Sequence, residues 1–308
     1  MLRPLKDAFF VRVHKAKHDT LTVAGKELFL DTDFNKYKHA VQYGTVASVP
    51  HVISHHHENE HGHQIGYYGG AEIKEGEKIY FHHFVTEPQN RYDMGGETVY
   101  LCRYDQVYCV IRDEKIEMIE DWLLAEPIME DESNFISPSG IYLKPSLGVV
   151  PNIATVRHVS KVCAEQGITP GDTIVYKKDA NYDMKVEGTE YYRMKAYNVA
   201  VIIRNGELTP VRDTLVIKEH KQENEVVAGI EVVSLKKRKQ QYATVLSMGP
   251  KVEPVNLNLK ELCFAEYKES DTIVYHNGTA GYVEHEKEIY GVIEAGNVLG
   301  FISSRTSI

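Results

Sequence analysis

The residues best suited to chemistry lie in one short stretch. His51, His55, His56, His57, His61 and His63 crowd between positions 51 and 63, and His57-Glu58-Asn59-Glu60-His61 satisfies the pattern HExxH. On a helix that spacing puts both imidazoles on one face to hold zinc, with Glu58 as general base. His82, His83 and Glu77 are the candidates for a third ligand. The surroundings oppose this reading. A zinc-holding helix needs an apolar face packed on a core, whereas this stretch has polar neighbours and runs into Gly62, Gly66, Gly69 and Gly70. We expect a long solvated loop, free of metal, whose charge changes below about pH 6.5 as its imidazoles titrate. A zinc hydrolase is the third reading of the chain. No GxSxG, phosphate-binding glycine loop or dinucleotide fingerprint occurs, so no active site is expected.

The rest of the composition narrows the class. The chain has 308 residues, which suits two or three domains. It is 43% hydrophobic and 26% charged, enough to build a core. Its net charge of −9 argues against a nucleic-acid surface, which needs a basic stripe. The run Lys236-Lys237-Arg238-Lys239 reads as a solvated loop face. No apolar stretch approaches a membrane span, and Ala8-Phe9-Phe10-Val11 is too short for a signal-peptide core. Cys102, Cys109, Cys163 and Cys263 include no CxxC pair, so neither a disulfide framework nor a zinc knuckle is indicated. A cytoplasmic protein is the default expectation. Tyrosine and valine richness leans towards β-structure.

The elements that position these residues repeat. PLKDAFFVRV from Pro4, MIEDWLLAEP from Met118 and PVRDTLVIKE from Pro210 share an acidic residue before an apolar run. EGEKIYFHH from Glu75, PGDTIVYKK from Pro170 and ESDTIVYHN from Glu269 share a turn followed by a strand. YDQVYCVI from Tyr104, YNVAVIIR from Tyr197 and GNVLGFIS from Gly296 form a third set. The blocks recur in the same order, which marks three copies of one unit, roughly 1–114, 115–206 and 207–308.

Short apolar runs broken by Gly, Asp, Asn and Pro make each copy all-β. Asn205-Gly206 between apolar runs predicts a type I′ hairpin turn. With Arg112-Asp113-Glu114-Lys115 at the other junction, the last strand of one copy should run straight back along the next. One window disagrees: Asp113–Glu126 carries good helix formers, with Ile116, Ile119 and Leu123 on one face. The repeat register nevertheless places Trp122–Ala125 in a strand. Leu257–Tyr267 has the same ambiguity.

With these blocks aligned, the unit resembles the GroES-type co-chaperonin family. Arg3–Val13 looks like that family's first strand, Tyr43–Val49 and Tyr242–Gly249 like its second, and Gly171–Tyr176 like its Gly-Asp strand. The resemblance is plainest in copies one and three. It implies three tandem GroES-like partly open β-barrels joined by short hairpin connections. It also implies a non-enzymatic chain that needs no cofactor, a GroEL-type chaperonin as partner and assembly as a homo-oligomeric ring, with no nucleic acid or membrane involved. A GroES-like fold also occurs in medium-chain dehydrogenases, but the dinucleotide-binding half is missing here. Three copies do not divide a seven-fold ring, a departure from the family's one domain per subunit.

The family's working part is a mobile loop whose apolar tripeptide docks on the chaperonin. The matching positions are Leu28-Phe29-Leu30 in copy one, Ile141-Tyr142-Leu143 in copy two, and Ile230 and Val232 around Glu231 in copy three. A charged, glycine-bearing loop stays disordered and folds on binding, so each contact is weak and several act together. Copy one has the longest polar surround, Lys17–Lys38. Pro138 and Pro145 stiffen copy two's loop, and Glu231 places a charge where an apolar groove disfavours one. The runner-up function is an oligomeric scaffold without a chaperonin partner. In the family register the His-rich segment falls at the roof hairpin.

Overall fold

A computed structural model describes residues 3–4, 7–14, 20–23, 26–29, 40–58, 64–70, 72–131, 148–220, 225–227, 230–232, 240–250 and 267–302. The chain divides into two compact units, Met1–Trp122 with His158–Val162, and Leu123–Arg157 with Cys163–Ile308. Among the described residues, no helix is long and apolar enough to cross a membrane.

The first unit is built on a seven-stranded sheet. Its neighbours run Arg91–Met94, Glu97–Arg103, Ala8–Arg12, Tyr43–Ser48, Lys78–Phe81, Val107–Arg112 and Lys115–Met118. Alternation fills its interior: Phe9, Val11, Val46, Ile79, Phe81, Cys102 and Val110 are all buried in one cluster.

The second unit holds two sheets with the same order. One runs Tyr182–Val186, Thr189–Lys195, Trp122–Met129, Val149–Val159, Thr173–Tyr176, Val199–Arg204 and Glu207–Pro210. The other runs Gly281–His285, Glu288–Glu294, Thr214–Glu219, Gln240–Met248, Thr272–His276 and Val298–Ile302. The fold is therefore all-β, three tandem partly open barrels.

Local chemistry repeats with the topology. Each third strand enters through a turn whose acid side chain accepts a backbone N–H three residues back: Lys74 to Glu77, Thr169 to Asp172, Lys268 to Asp271. The residue before each acid is at positive φ, Gly76 at 86°, Gly171 at 95° and Ser270 at 73°. The junctions are hairpins as expected. Arg204 pairs with Glu207 across Asn205 and Gly206, at φ 52° and 82°, as a type I′ turn requires. Arg112 pairs with Lys115 across Asp113 and Glu114, at φ 47° and 62°. Trp122–Met129 is a strand, so the register prevails over the local helical pattern.

The connection between second and third strands is filled differently in the first two sheets. In the first it carries a separate β-hairpin, Ile53–Glu58 with Gln64–Gly69. After the strand Val149–Val159 it carries instead the short helix Lys161–Glu165, of which Cys163 is buried. Residues 257–266 lie outside the described residues.

Candidate functional site

The HExxH pattern begins on a strand and not on a helix. His57 and Glu58 end the strand Ile53–Glu58, which pairs His55 with Tyr67 and His57 with Ile65. A strand repeats every second residue, so His57 and Glu58, the described part of the pattern, do not begin a helical face of the kind HExxH zinc chemistry needs; residues 59–63, with His61 and His63, lie outside the described residues. Among the described residues no group of three His, Cys, Asp or Glu side chains is placed to hold a metal. The excursion is a β-hairpin at the position where a roof hairpin is expected.

The candidate docking segments sit between the first and second strands of each sheet. In copy one, Thr20–Val23 pairs with Lys26–Phe29, matching Thr20 with Phe29 and Leu21 with Leu28. In copy three, Glu225–Val227 pairs with Ile230–Val232, matching Glu225 with Val232 and Val227 with Ile230. Each pair is a two-stranded sheet of its own. Within the segments expected to be loops, the described residues of both copies pair as two short antiparallel strands. Thr-Leu-Thr-Val and Val-Val supply the β-branched residues that favour this pairing. Leu30 and the triplet Ile141-Tyr142-Leu143 lie outside the described residues.

The register reveals an offset that the sequence reading missed. Both hairpins contain Val-Ala-Gly, at 23–25 and 227–229. Val23 pairs with Lys26, and Val227 with Ile230. Ile230-Glu231-Val232 therefore corresponds to Lys26-Glu27-Leu28, and Leu28 is the counterpart of Val232. The triplets at 28–30 and 230–232 are two positions out of step. The shared Val-Ala-Gly was the signal that could have aligned them.

The bases of these excursions are well fixed. In copy one, Arg12 donates to Glu97 at 2.7 Å, and the Lys78 ammonium lies 5.2 Å from the Tyr43 ring centre. Gly44 is required where the chain returns, since a Cβ there would stand 2.5 Å from the Arg12 carbonyl oxygen. In copy two the ends are tied, with the Glu130 N–H on the Gly148 carbonyl at 2.9 Å and the Gly148 N–H on the Glu130 carboxylate at 2.7 Å. In copy three, Glu219 accepts from the Tyr275 and Tyr282 hydroxyls. Burial, reinforced by the neighbouring Glu219 carboxylate, pushes the Tyr282 phenol up to about 12. His220 is held to Thr244 at 2.8 Å.

Two acid–arginine clasps were not foreseen. Arg112 donates to Glu77 at 2.7 and 3.1 Å, and Arg204 to Asp172 at 2.8 and 2.7 Å. Burial pushes both carboxyls up, but the guanidinium and backbone N–H hydrogen bonds outweigh it and hold each below its ordinary range.

Tandem barrels of this order, with a pair of short strands between the first two strands of copies one and three, define a repeated β-domain class that sequence comparison places directly. The chain matches the Cpn10 family, Chaperonin 10 Kd subunit, over residues 115–203 and 207–302, and it belongs to that family. The match falls on copies two and three; residues 1–114 join them through the same strand order. The chain is 26% identical over 135 residues to the chloroplastic 20 kDa chaperonin of Spinacia oleracea, covering 42% of this chain and 53% of that protein. The chain thus spans about half the length of that relative. It is 33% identical over 90 residues to the co-chaperonin GroES of Borreliella burgdorferi, covering 29% of this chain and 97% of that protein.

Proposed function

We propose that this chain is a co-chaperonin that caps a GroEL-type chaperonin and assists ATP-dependent folding, with nucleotide bound and hydrolysed by the partner. Its domains divide at 1–114, 115–206 and 207–308, and its chains assemble into a homo-oligomeric ring. The observation that carries this reading is the pair of hairpins, 20–29 and 225–232, which stand outside the barrels at equivalent places and share Val-Ala-Gly. Membership of the family supports it. The leading anchors are Leu28, Phe29 and Leu30, followed by Ile230 and Val232, with Ile141, Tyr142 and Leu143 in copy two.

The mechanism follows from multivalency. One small apolar anchor binds weakly, and several engaged at once bind far more tightly, so a lid can seat firmly yet leave when any shift in the partner disengages some anchors. The role asks nothing of the chain as an acid, base or nucleophile.

Co-elution with the chaperonin of the same source, with and without nucleotide, tests this. Nucleotide-dependent association with slowed ATP turnover is expected, and Leu28, Phe29 and Leu30 all changed to Ser should abolish it while the far-ultraviolet spectrum stays unchanged. Full association by that triple variant would overturn the anchor assignment. Absence of association by the unaltered chain would leave the scaffold reading.

A further inference from the structure

The His-rich hairpin of copy one has a spacing that the HExxH pattern hides. That pattern counts four residues from His57 to His61, a helical count, whereas the backbone at its start is the strand Ile53–Glu58. On a strand the residues that share a face are two apart. His55 and His57 therefore fall on one face, with Tyr67 and Ile65 at the register positions opposite them. His56 and Glu58 fall on the other face, opposite Gly66 and Gln64.

The span suits chelation. Strand rise sets residues two apart at about 6.7 Å. A helix gives about 5–6 Å between residues four apart, the separation that HExxH exploits. A strand thus delivers nearly the same reach through a different pair of residues, and imidazole nitrogens at about 2.0–2.1 Å from an ion bridge it. The face is fixed at its root. Ile53, two residues before His55 on the same face, is fully buried in the core of the first barrel. His55 and His57 both lie within the paired stretch that runs from Ile53 with Gly69 to Glu58 with Gln64, so the backbone is ordered before any ion arrives. The hairpin is also a sheet of its own, outside the seven-stranded barrel sheet.

Ligand chemistry selects the ion. Imidazole suits zinc, nickel and copper, whereas magnesium and calcium take oxygen ligands. The face with two imidazoles is therefore favoured for such ions over the face with His56 and the Glu58 carboxylate. The feature belongs to copy one alone. The corresponding connections, 160–172 in copy two and 249–271 in copy three, contain no histidine. His51, at the foot of the hairpin, is engaged separately: Arg3 Nη1 lies 2.9 Å from its Nε2. A cation so close opposes the approach of a second one.

We infer that His55 and His57 form a two-imidazole site for one late transition-metal dication per chain, of the zinc, nickel and copper class, with water in the remaining coordination positions. The site replaces the metal-free loop expected from the sequence, and it does so without the HExxH helix or its hydrolytic chemistry. Six of the fifteen histidines lie between positions 51 and 63, so a structureless tract would gather metal through any of them. The strand instead makes binding selective for one face, and that selectivity is measurable.

The inference is independent of capping, and it is tested with no chaperonin present. Calorimetric titration of the metal-free 308-residue chain with Zn²⁺, in excess Mg²⁺ and at about pH 7.5 where imidazoles are neutral, should show one ion bound per chain. Ni²⁺ should compete for it. His55→Asn and His57→Asn should each weaken binding at least about tenfold, and the double variant little further, because either change alone breaks the chelate. His56→Asn, on the opposite face, should bind as the unaltered chain does, and so should His61→Asn and His63→Asn. His56→Asn also serves as the folding control, since it makes the same substitution on the same strand. No zinc uptake, His55 or His57 variants that bind normally, equal weakening by His56→Asn, or dependence on His61 or His63 overturns the pair.

Discussion

The two internal junctions share one backbone plan and are filled in opposite ways. At the first, Arg112 clasps Glu77, donates to the Glu72 carbonyl, and reaches forward to Glu117 on the next leading strand. Tyr108 lies edge-on to Trp122 there, ring centres 4.8 Å apart. At the second, Arg204 spends its donors on its own copy, on Asp172, the Thr169 hydroxyl and the Gly167 carbonyl. The counterpart of Glu117 is Thr209, which carries no charge to meet it. Valines and the Lys177–Glu294 pair hold that joint instead. A hairpin and a strand register are what repetition preserves; the contents of the joint are free to diverge once chain connectivity guarantees the pairing.

The largest expected effect probes that concentration of packing. Trp122→Ala removes most of one large side chain that is 9% exposed against a fully buried Tyr108, and should cost about 3–5 kcal/mol. Val292→Ala, one of several valines at the second joint, should cost about 2 kcal/mol. Urea midpoints of the first unfolding transition give the comparison. Equal losses would show that the first joint does not depend on its aromatic pair.

Much of this plan is legible in the sequence because it depends on short-range pattern. Asn205-Gly206 announces its turn, and the thrice-repeated acid and apolar run places Trp122 in a strand against a helical window. The paired strands Thr20–Val23 and Lys26–Phe29 are hidden in the sequence because the charged flanks mask the alternation in Thr-Leu-Thr-Val. The helix Lys161–Glu165 is a single turn, too short for periodicity to register, although Gly167 at φ 82° marks where it must end. The clasps were invisible for a different reason. Arg112 and Glu77 are 35 residues apart, and Arg204 and Asp172 are 32 apart, so only the sheet order brings them together.

The clasps give the next effect in size. Arg112→Met should cost about 1–3 kcal/mol, since it leaves a half-sheltered Glu77 without its cation. Arg204→Met should destabilise in the same sense, with Asp172 only 5% exposed. A double-mutant cycle with Glu117→Gln should show coupling of about 0.5–1 kcal/mol for Arg112 and none for Arg204. Acid sharpens the contrast. Both carboxyls have folded-state pKa values below their ordinary ones, so their stabilisation is complete above about pH 5 and is lost as the pH falls through the folded values. The unaltered chain should lose stability on that limb, and each arginine variant should lose less between pH 5 and 3. An arginine variant with an undiminished acid limb would assign the loss to other groups.

The smallest effect lies in the turns. Both junctions hold their two central residues at positive φ, and Asp113 and Asn205 tolerate it about equally, but the second follows with Gly206 whereas the first forces Glu114 into the same region. A side chain with a Cβ in the left-handed region costs about 1 kcal/mol, more for Glu than for Asp or Asn. Glu114→Gly should therefore stabilise the chain by about 1 kcal/mol, and Gly206→Ala should destabilise it by a similar amount. The second substitution is a clean test of conformation, since a Cβ at 206 would meet only Glu286 Oε1, at an ordinary 3.6 Å. Opposite shifts in urea midpoint at the two sites would show that the first junction carries backbone strain which its clasp and its aromatic pair offset. No shift at Glu114 would mean that this strain is negligible and that the first junction's extra contacts serve the joint alone.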